Sequence, residues 1–306
     1  MFSEVVKKDL EKQGYRLVGN HSACKICTWT RKSLLDKDVC YKQKFYGIES
    51  HRCCQMTPCM TCCNRCVYCW RDTSVFSGKS QFNKQQQDKP TDIIKNCINA
   101  QKLLLSGFGG NKNVNPKKLK EAQEPKHFAI SLSGEPFLYP KLGELIKELH
   151  DQDKTTFLVT NGQLPKEIKS LKEMPTQFYL SLDAPNKKVY KELDKPLFSD
   201  YWERLNNTLE LLKGLKTRRV LRLTLIKQKN MRDIKGYTSL IKKAEPDFVE
   251  VKGYMFVGYS RHRLEMKNMP LHIEVKNFAE KLAKASSLNF LNEKKESRVV
   301  LLGDKN

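Results

Sequence analysis

The stretch CCQMTPCMTCCNRCVYCWRD, residues 53–72, holds seven of the eleven cysteines of the chain. Within it, the spacing Cys-x3-Cys-x2-Cys occurs in two overlapping registers. These are Cys59, Cys63 and Cys66, and Cys62, Cys66 and Cys69. Three thiolates on one short loop can bind three irons of a [4Fe–4S] cluster and leave the fourth iron open for another ligand. The stretch therefore predicts an iron–sulfur site with room for a bound small molecule.

The other cysteines support metal ligation rather than disulfide bonding. Ten of the eleven lie between Cys24 and Cys69, and Cys97 alone falls outside. A disulfide framework is typical of small secreted chains, whereas this sequence has 306 residues and no secretory signal. Zinc is the alternative metal, because the Cys-x-x-Cys pairs typical of zinc sites also occur. However, the pairs are too crowded for a tetrahedral site built from two separate pairs.

The charge of the chain predicts a polyanionic partner. There are 56 Lys and Arg against 34 Asp and Glu, which gives a net charge of +22. A compact chain does not need this much charge for solubility, so nucleic acid is the expected partner. No run of about 18 apolar residues and no lipidation motif is present, which excludes a membrane-spanning protein. We expect a cytoplasmic monomer.

The pattern from residue 126 onward predicts an α/β fold, because short apolar runs alternate with amphipathic helices. Strands are predicted at residues 51–56, 127–133, 155–160, 177–183, 220–226, 247–254 and 297–304. Alternating strands and helices indicate a parallel sheet, and the number of strands suits an incomplete (β/α)6 TIM-like barrel better than a complete one. We expect a Cys-rich N-terminal extension at 1–60 and the partial barrel with C-terminal elements at 61–306.

The cysteine spacing resembles that of the radical SAM superfamily, in which the open iron binds the amino and carboxylate groups of S-adenosylmethionine (SAM). That family prefers an aromatic residue just before the last cysteine. Tyr68 occupies this position in one register, whereas Arg65 occupies it in the other. The resemblance therefore assigns Cys62, Cys66 and Cys69 to the radical SAM cluster.

Polar residues follow several of the predicted strands, and their order along the chain after the cysteines is the same as in the radical SAM family. The segment Ser133-Gly134-Glu135-Pro136 is similar to the GGEP-type motif that binds the SAM ammonium group. A lone Asn or Ser at a strand end is typical of an ordinary turn, so the order of these motifs after the cysteines carries the argument. The SAM-binding residues implied by the resemblance are Tyr68, Ser133, Gly134, Glu135, Asn161, Ser181, Asp183 and Arg222.

A second cysteine triplet narrows the resemblance. Its successive members are separated by thirteen positions, namely Cys27, Cys40 and Cys53. Next to a radical SAM motif, this pattern resembles the archaeal 4-demethylwyosine synthases, which use three such cysteines for an auxiliary [4Fe–4S] cluster. The similarity continues through VCYKQKFYGIESHRCCQMTP, CNRCVYCWRD, SLSGEP, VTNG and SLDAP. Cys24 could replace Cys27, and Cys54 could replace Cys53.

The resemblance implies a reaction on transfer RNA. The family takes tRNA-Phe with N1-methylguanosine at position 37, adds two carbons from pyruvate and closes the third ring of 4-demethylwyosine. This carbon–carbon lyase step belongs to wyosine and wybutosine biosynthesis. Cleavage of SAM would give a 5′-deoxyadenosyl radical that abstracts hydrogen from the N1-methyl group. An external electron donor is needed, because no flavodoxin-like segment precedes the cysteine region.

Pyruvate has two possible modes of binding. Lys42 matches the lysine that the family uses as a Schiff base, and Lys44 is the runner-up. Alternatively, pyruvate chelates the open iron of the auxiliary cluster, and the sequence does not separate the two modes.

Basic residues near the predicted site are expected to contact RNA phosphates. The residues selected are Arg71, Lys117, Lys118, Arg261 and Arg263. Two other functions stay open at this point, namely a radical SAM activase that makes a glycyl radical and a zinc-dependent RNA-binding protein. The charge and the upstream cysteine triplet count against the activase.

Overall fold

The computed structural model describes residues 3–78 and 87–304. The chain divides into two compact units. The first consists of Met1–Thr61, Ser80–Leu158 and Leu171–Thr176, and the second of Cys62–Lys79, Val159–Ser170 and Gln177–Asn306. The boundary at residues 60 and 61 between an extension and a barrel domain stays a prediction, because this division follows the packing of the chain rather than its order.

The first unit is built on a mixed sheet. Its strands are β1 (Tyr15–Val18), β2 (Ser22–Lys25), β3 (Cys53–Thr57), β4 (His127–Ile130) and β5 (Thr155–Thr160), whose last two residues belong to the second unit. β1, β2 and β3 pair in antiparallel fashion, and β3, β4 and β5 pair in parallel. The hairpin of β1 and β2 was not predicted, because strands of four residues give too little alternation to detect.

The helices of the first unit begin at recognisable sequence signals. They are α1 (Glu4–Lys12), α2 (Thr28–Leu34), α3 (Tyr41–Tyr46), α4 (Pro90–Leu105), α5 (Pro116–Ala122) and α6 (Leu142–Asp151). Proline occupies the start of α4 and α5, where its missing N–H is not needed. The Asn115 side chain caps α5 by accepting a hydrogen bond from Lys118 N at 3.1 Å.

The second unit repeats the alternation of strand and helix. Its strands are β6 (Gln177–Ser181), β7 (Arg218–Leu225), β8 (Phe248–Gly253), β9 (Asn289–Lys294) and β10 (Val299–Gly303). Its helices are α7 (Pro165–Lys169), α8 (Lys187–Asp194), α9 (Tyr201–Leu212), α10 (Ile234–Ala244) and α11 (His272–Ser286). β6, β7 and β8 are parallel, as predicted, whereas β10 is antiparallel to both β8 and β9.

Burial of apolar side chains at helical spacing explains how these helices attach to the sheet. In α6, Leu142, Leu145, Ile146 and Leu149 are all buried, and their steps of three and four residues place them on one face. Among the described residues, no helix is both long and apolar enough to cross a membrane.

His127 at the start of β4 is buried in its neutral form. Its Nε2 accepts a hydrogen bond from Glu49 N at 3.1 Å, so Nδ1 carries the proton and donates to Thr155 Oγ1 at 2.6 Å. Burial lowers the pKa of His127 to about 4. The charged groups that act on it are Glu49, which opposes this shift, and Lys126, Arg52 and His51, which add to it.

This buried histidine makes stability depend on pH. Its pKa is lower in the folded chain than in the unfolded chain, so the unfolded chain binds more protons between pH 6.5 and pH 4. Relative to His127→Gln, the wild type should therefore lose up to about 3 kcal/mol of unfolding free energy as the pH falls through this range. Urea denaturation of both proteins at each pH measures the difference, and a difference that stays constant contradicts the prediction.

Candidate functional site

The loop of residues 62–71, here called the cluster loop, carries three half-buried cysteines in the second unit. Cys62, Cys66 and Cys69 are half-buried, whereas Cys59 and Cys63 are completely buried. The Cys63 thiol lies against the side chain of Asn161, with its Sγ 3.3 Å from Asn161 Nδ2. The register that Tyr68 indicates in the sequence is therefore the one whose three cysteines all retain some exposure.

The backbone of the cluster loop is bonded to the last residues of α8 and to the chain that follows them. Val67 N donates to Leu193 O at 2.8 Å, and Arg65 N donates to Asp194 O at 3.0 Å. Further along, Leu197 N donates to Cys63 O at 3.0 Å. These bonds fix the loop by its main chain, so the positions of the thiols do not depend on their own packing.

Tyr68 connects the loop to two buried carboxyl groups. Its Oη lies 2.7 Å from Asp183 Oδ2 and 2.6 Å from Asp194 Oδ1. A phenol has one hydrogen to donate, so one of the two carboxyl groups must carry a proton. Burial and the proximity of Asp183 raise the pKa of Asp194 well above its usual range, and burial also raises the pKa of Asp183.

Asp194 is a site residue that the sequence did not reveal. It ends an ordinary amphipathic helix, and no motif surrounds it. The Cys66 thiol donates to Asp194 Oδ1 at 3.5 Å, and Oδ2 is buried without a hydrogen-bond partner among the described residues. Asp183, by contrast, already uses both oxygens, since its Oδ1 accepts from Thr224 N at 2.6 Å. Within the described part of the chain, Asp194 therefore keeps one buried oxygen without a hydrogen-bond donor beside the loop.

Of the other predicted SAM-binding residues of the second unit, Asn161 and Ser181 lie at strand ends and Arg222 lies within β7. Asn161 follows β5, and its Nδ2 lies 3.6 Å from Cys62 Sγ, so its amide contacts a predicted ligand sulfur. Ser181 ends β6 and pairs in register with Arg222 on β7. Both are half-buried, and the Arg222 guanidinium acts on the carboxyl of Asp183.

The Ser133-Gly134-Glu135 turn lies in the first unit, against residues 57–61. Thr57 Oγ1 donates to Ser133 O at 2.6 Å, and Glu135 N donates to Thr61 O at 2.8 Å. Gly134 has φ +72°, and a Cβ there would lie 1.9 Å from Cys59 O. Glycine is therefore required by both the backbone conformation and the close approach.

The second cysteine triplet also comes together, within the first unit. Cys27 and Cys40 directly precede α2 and α3, and Cys53 begins β3. Burial raises the pKa of Cys53 to about 12, and the thiols of Cys27 and Cys40 add to this shift. Such an effect indicates that Cys27 and Cys40 each lie near Cys53.

Strand geometry separates Cys54 from this triplet. Successive side chains on a strand point to opposite faces, so Cys53 and Cys54 do not share a face of β3. Cys54 is completely buried, and Cys24 is among the groups that raise its pKa. The Cys24 thiol in turn donates to Cys97 O at 3.9 Å. Cys24, Cys54 and Cys97 are therefore core residues, which disfavours Cys24 or Cys54 as a replacement ligand.

Lys42 and Lys44 differ in their surroundings. Lys42 is 8% exposed, its Nζ lies 5.0 Å from the centre of the Phe157 ring, and its charge acts on the Cys53 thiol. Lys44 is exposed. Of these two lysines, Lys42 is the one whose amine has a sheltered position beside the second triplet.

Comparison with known proteins gives matches over nearly the whole chain. The description "Radical SAM superfamily" matches residues 56–241, and "Wyosine base formation" matches residues 243–304. The S-adenosyl-L-methionine-dependent tRNA 4-demethylwyosine synthase of Pyrococcus abyssi is 48% identical over 98% of this chain and 88% of its own length. The chain belongs to the 4-demethylwyosine synthase family.

One further sequence relative and one solved structure show how much of each chain is similar. The 4-demethylwyosine synthase of Oryza sativa is 45% identical over 92% of this chain, but over 43% of its own length. A structure of TYW1 with a lysine–pyruvate adduct bound has a TM-score of 0.89 at 41% identity, over 100% of this chain and 97% of that one.

The fold prediction is confirmed by the radical SAM match, which identifies a partial TIM-like barrel of mixed α/β structure. A radical SAM methyltransferase from Sphaerobacter thermophilus shares this fold, with a TM-score of 0.54 at 12% identity over 93% of this chain and 80% of that one.

The residues of this family member fit iron–sulfur clusters. All eleven cysteines are free thiols, and each triplet consists of three half-buried cysteines. Burial raises the pKa of Cys66 and of Cys69, which means that thiolates in these positions are unfavourable without a bound cation. Iron supplies that charge and deprotonates its thiol ligands.

Two of the five predicted RNA contacts of this synthase family member have buried or half-buried surroundings. Arg71 is 3% exposed, and its guanidinium carbon lies 5.0 Å from the centre of the Phe76 ring. Arg263 is half-buried, and its guanidinium bonds to main-chain carbonyls of the cluster loop. These surroundings disfavour both residues as phosphate contacts, and their contact with RNA stays a prediction.

The remaining three basic residues are at the surface. Lys117 and Arg261 are exposed. Lys118 is partly exposed and forms an ion pair with Asp36. Their contact with RNA stays a prediction.

The turn that contains Gly134 gives a stability test with a built-in control. Gly47 has nearly the same φ, +73°, but no atom lies within 4 Å of a Cβ placed on it. We expect Gly47→Ala to cost about 1–2 kcal/mol from backbone strain. Gly134→Ala should cost about 1–3 kcal/mol more, because its methyl group overlaps the main chain at Cys59. Urea denaturation measures both, and equal losses would refute the overlap.

Proposed function

We propose that this protein is an S-adenosylmethionine-dependent tRNA 4-demethylwyosine synthase that condenses N1-methylguanosine-37 of tRNA-Phe with pyruvate. Identity of 48% across 98% of the chain to a synthase of this name supports the proposal. The single observation that carries it is the occurrence, in one chain, of two half-buried cysteine triplets and a buried Lys42 beside the second triplet.

The cluster assignments form part of the proposal. Cys62, Cys66 and Cys69 hold the radical SAM cluster, and Cys27, Cys40 and Cys53 hold an auxiliary [4Fe–4S] cluster. When bound and reduced, the radical SAM cluster together with SAM supplies the carbon radical that removes hydrogen from the N1-methyl group of the base.

The protein's own residues hold and orient the reactants. Asn161 contacts the sulfur of Cys62, and Tyr68 holds the two buried carboxyl groups on one side of Cys66. The SAM contacts of Ser133, Gly134, Glu135, Ser181 and Arg222 remain part of this proposal.

Lys42 activates pyruvate in this proposal. Its amine attacks the ketone carbon, water leaves, and a protonated imine forms that withdraws electrons from the bond to the carboxylate. The TYW1 structure with a lysine–pyruvate adduct supports this mode over chelation of pyruvate by iron. The sheltered position of Lys42 also supports it, because water competes less for the imine there.

The partners follow from the same proposal. The net charge of +22 suits a tRNA substrate, and an anticodon-loop base reaches a buried site only when it is unstacked. Electrons come from an external donor, and we place the reaction in the cytoplasm, carried out by a monomer. No observation favours the glycyl-radical activase or the zinc-dependent protein as a second candidate.

Iron analysis tests the two-cluster assignment. After anaerobic reconstitution, the wild type should contain about eight irons per chain, and Cys62→Ser and Cys27→Ser should each contain about four. Of the two variants, Cys27→Ser should still cleave SAM and Cys62→Ser should not, because the radical SAM triplet is intact only in the former. A wild type with four irons, unchanged in Cys27→Ser, would show that the second triplet binds no cluster.

Trapping of pyruvate tests the role of Lys42. Borohydride reduces an imine to a stable amine, so labelled pyruvate should become attached to the wild type but not to Lys42→Ala. Lys44→Ala is the matched control, and it should keep the label. Transfer of label from carbons 2 and 3 of pyruvate to N1-methylguanosine tRNA, in the presence of SAM and a reductant, tests the whole function. Label retained by Lys42→Ala places the imine elsewhere, and no label on the tRNA refutes the proposed reaction.

A further inference from the structure

One arginine bonds to three carbonyls of the cluster loop. Arg263 Nε donates to Val67 O at 3.1 Å, and its Nη2 donates to Arg71 O at 3.1 Å and also to Cys69 O. The accepting carbonyls lie on either side of the ligand Cys69 and on the ligand itself. Buried carbonyls of an irregular loop need partners from outside the loop, and Arg263 provides them here.

The same segment attaches to the loop at a fourth carbonyl. Tyr259 N donates to Trp70 O at 2.9 Å. Gly258 has φ +57°, and a Cβ placed on it would lie 2.3 Å from Trp70 O, so the two main chains approach closely. Four of the five carbonyls from residue 67 to residue 71 therefore accept hydrogen bonds from residues 258–263.

The segment itself is anchored to the sheet. Tyr254, directly after β8, donates its N–H to Leu225 O at 2.8 Å at the end of β7. Its hydroxyl lies 2.7 Å from the buried Ser260 Oγ, and Arg263 N donates to Ser260 O at 3.0 Å. A continuous series of bonds thus leads from the parallel sheet to the main chain around Cys69.

The chemistry of these contacts requires a guanidinium. Arg has five N–H donors fixed in one plane, whereas the Lys ammonium is a single point with three donors. A Lys at position 263 could donate to carbonyls around one point, as Nη2 does, but it has no second nitrogen in the place of Nε to reach Val67 O at the same time.

We propose that Arg263 is a positioning residue that fixes the main chain around Cys69, so that the C-terminal segment forms part of the radical SAM cluster site. This rests on the proposed function only in assigning a cluster to Cys62, Cys66 and Cys69. Arg263 lies in the part of the chain that matches the wyosine-formation description, whereas the loop lies in the radical SAM match. The two matched regions therefore build one site.

The test measures how firmly the cluster is held. In the full chain with Cys27→Ser, all remaining cluster iron belongs to the radical SAM site. Arg263→Lys and Arg263→Gln should lose this iron to a chelator about tenfold faster or more, as expected when a partner of a metal ligand is removed. The electron paramagnetic resonance spectrum of the reduced cluster should change as well. The exposed Arg261→Lys, two residues away, is the matched control and should behave like the parent.

Each other outcome overturns the inference. Equal rates of iron loss and unchanged spectra in the Arg263 variants show that the carbonyl contacts do not matter for the cluster. Loss of the circular dichroism spectrum in both variants shows that Arg263 maintains the fold rather than the loop. If the Cys27→Ser parent itself binds no cluster, the proposed function fails together with the inference. This outcome is distinguishable from the others, because the cluster is then absent whichever residue stands at position 263.

Discussion

The hydrogen bonding of the cluster-loop main chain is the interaction on which the radical SAM site depends. Three half-buried cysteines on a loop without helix or strand cannot fix their own positions, and burial of Cys66 and Cys69 opposes their ionisation. The loop is therefore bonded from two sides, by residues 193–197 at and after the end of α8 and by residues 258–263. A site whose fourth iron is to stay open has to obtain its rigidity from the protein, because it has one ligand fewer than a closed site.

The periodicity of strands and helices gives different surroundings to residues that are close in sequence in the first unit. Cys53 and Cys54 are consecutive on β3, and alternation places one with the second triplet and the other in the core. Lys42 and Lys44 are two residues apart on α3, which rotates them by about 200° relative to each other. One is buried and the other exposed. Sequence alone could name these four residues, but only secondary structure could distinguish between the members of each pair.

What could be predicted from the sequence depended on the range of the interaction. The strands at 155–160 and 177–183 are found at nearly these positions, because apolar runs are local signals. The two cysteine triplets are also local patterns. The carbonyl contacts of Arg263, the place of Asp194 and the hairpin of β1 and β2 were missed. The contact of Arg263 with Val67 joins residues 196 positions apart, and no spacing rule reaches that far.

The net charge of +22 supports an RNA substrate only through the residues that remain at the surface. Arg71 is buried within the cluster loop, and the half-buried Arg263 donates to main-chain carbonyls of that loop. Exposed residues such as Lys117 and Arg261 are left for phosphates. The basic character of the chain therefore serves two purposes. Burial separates them, because an enclosed guanidinium bonds to groups of the chain itself whereas an exposed one attracts a partner.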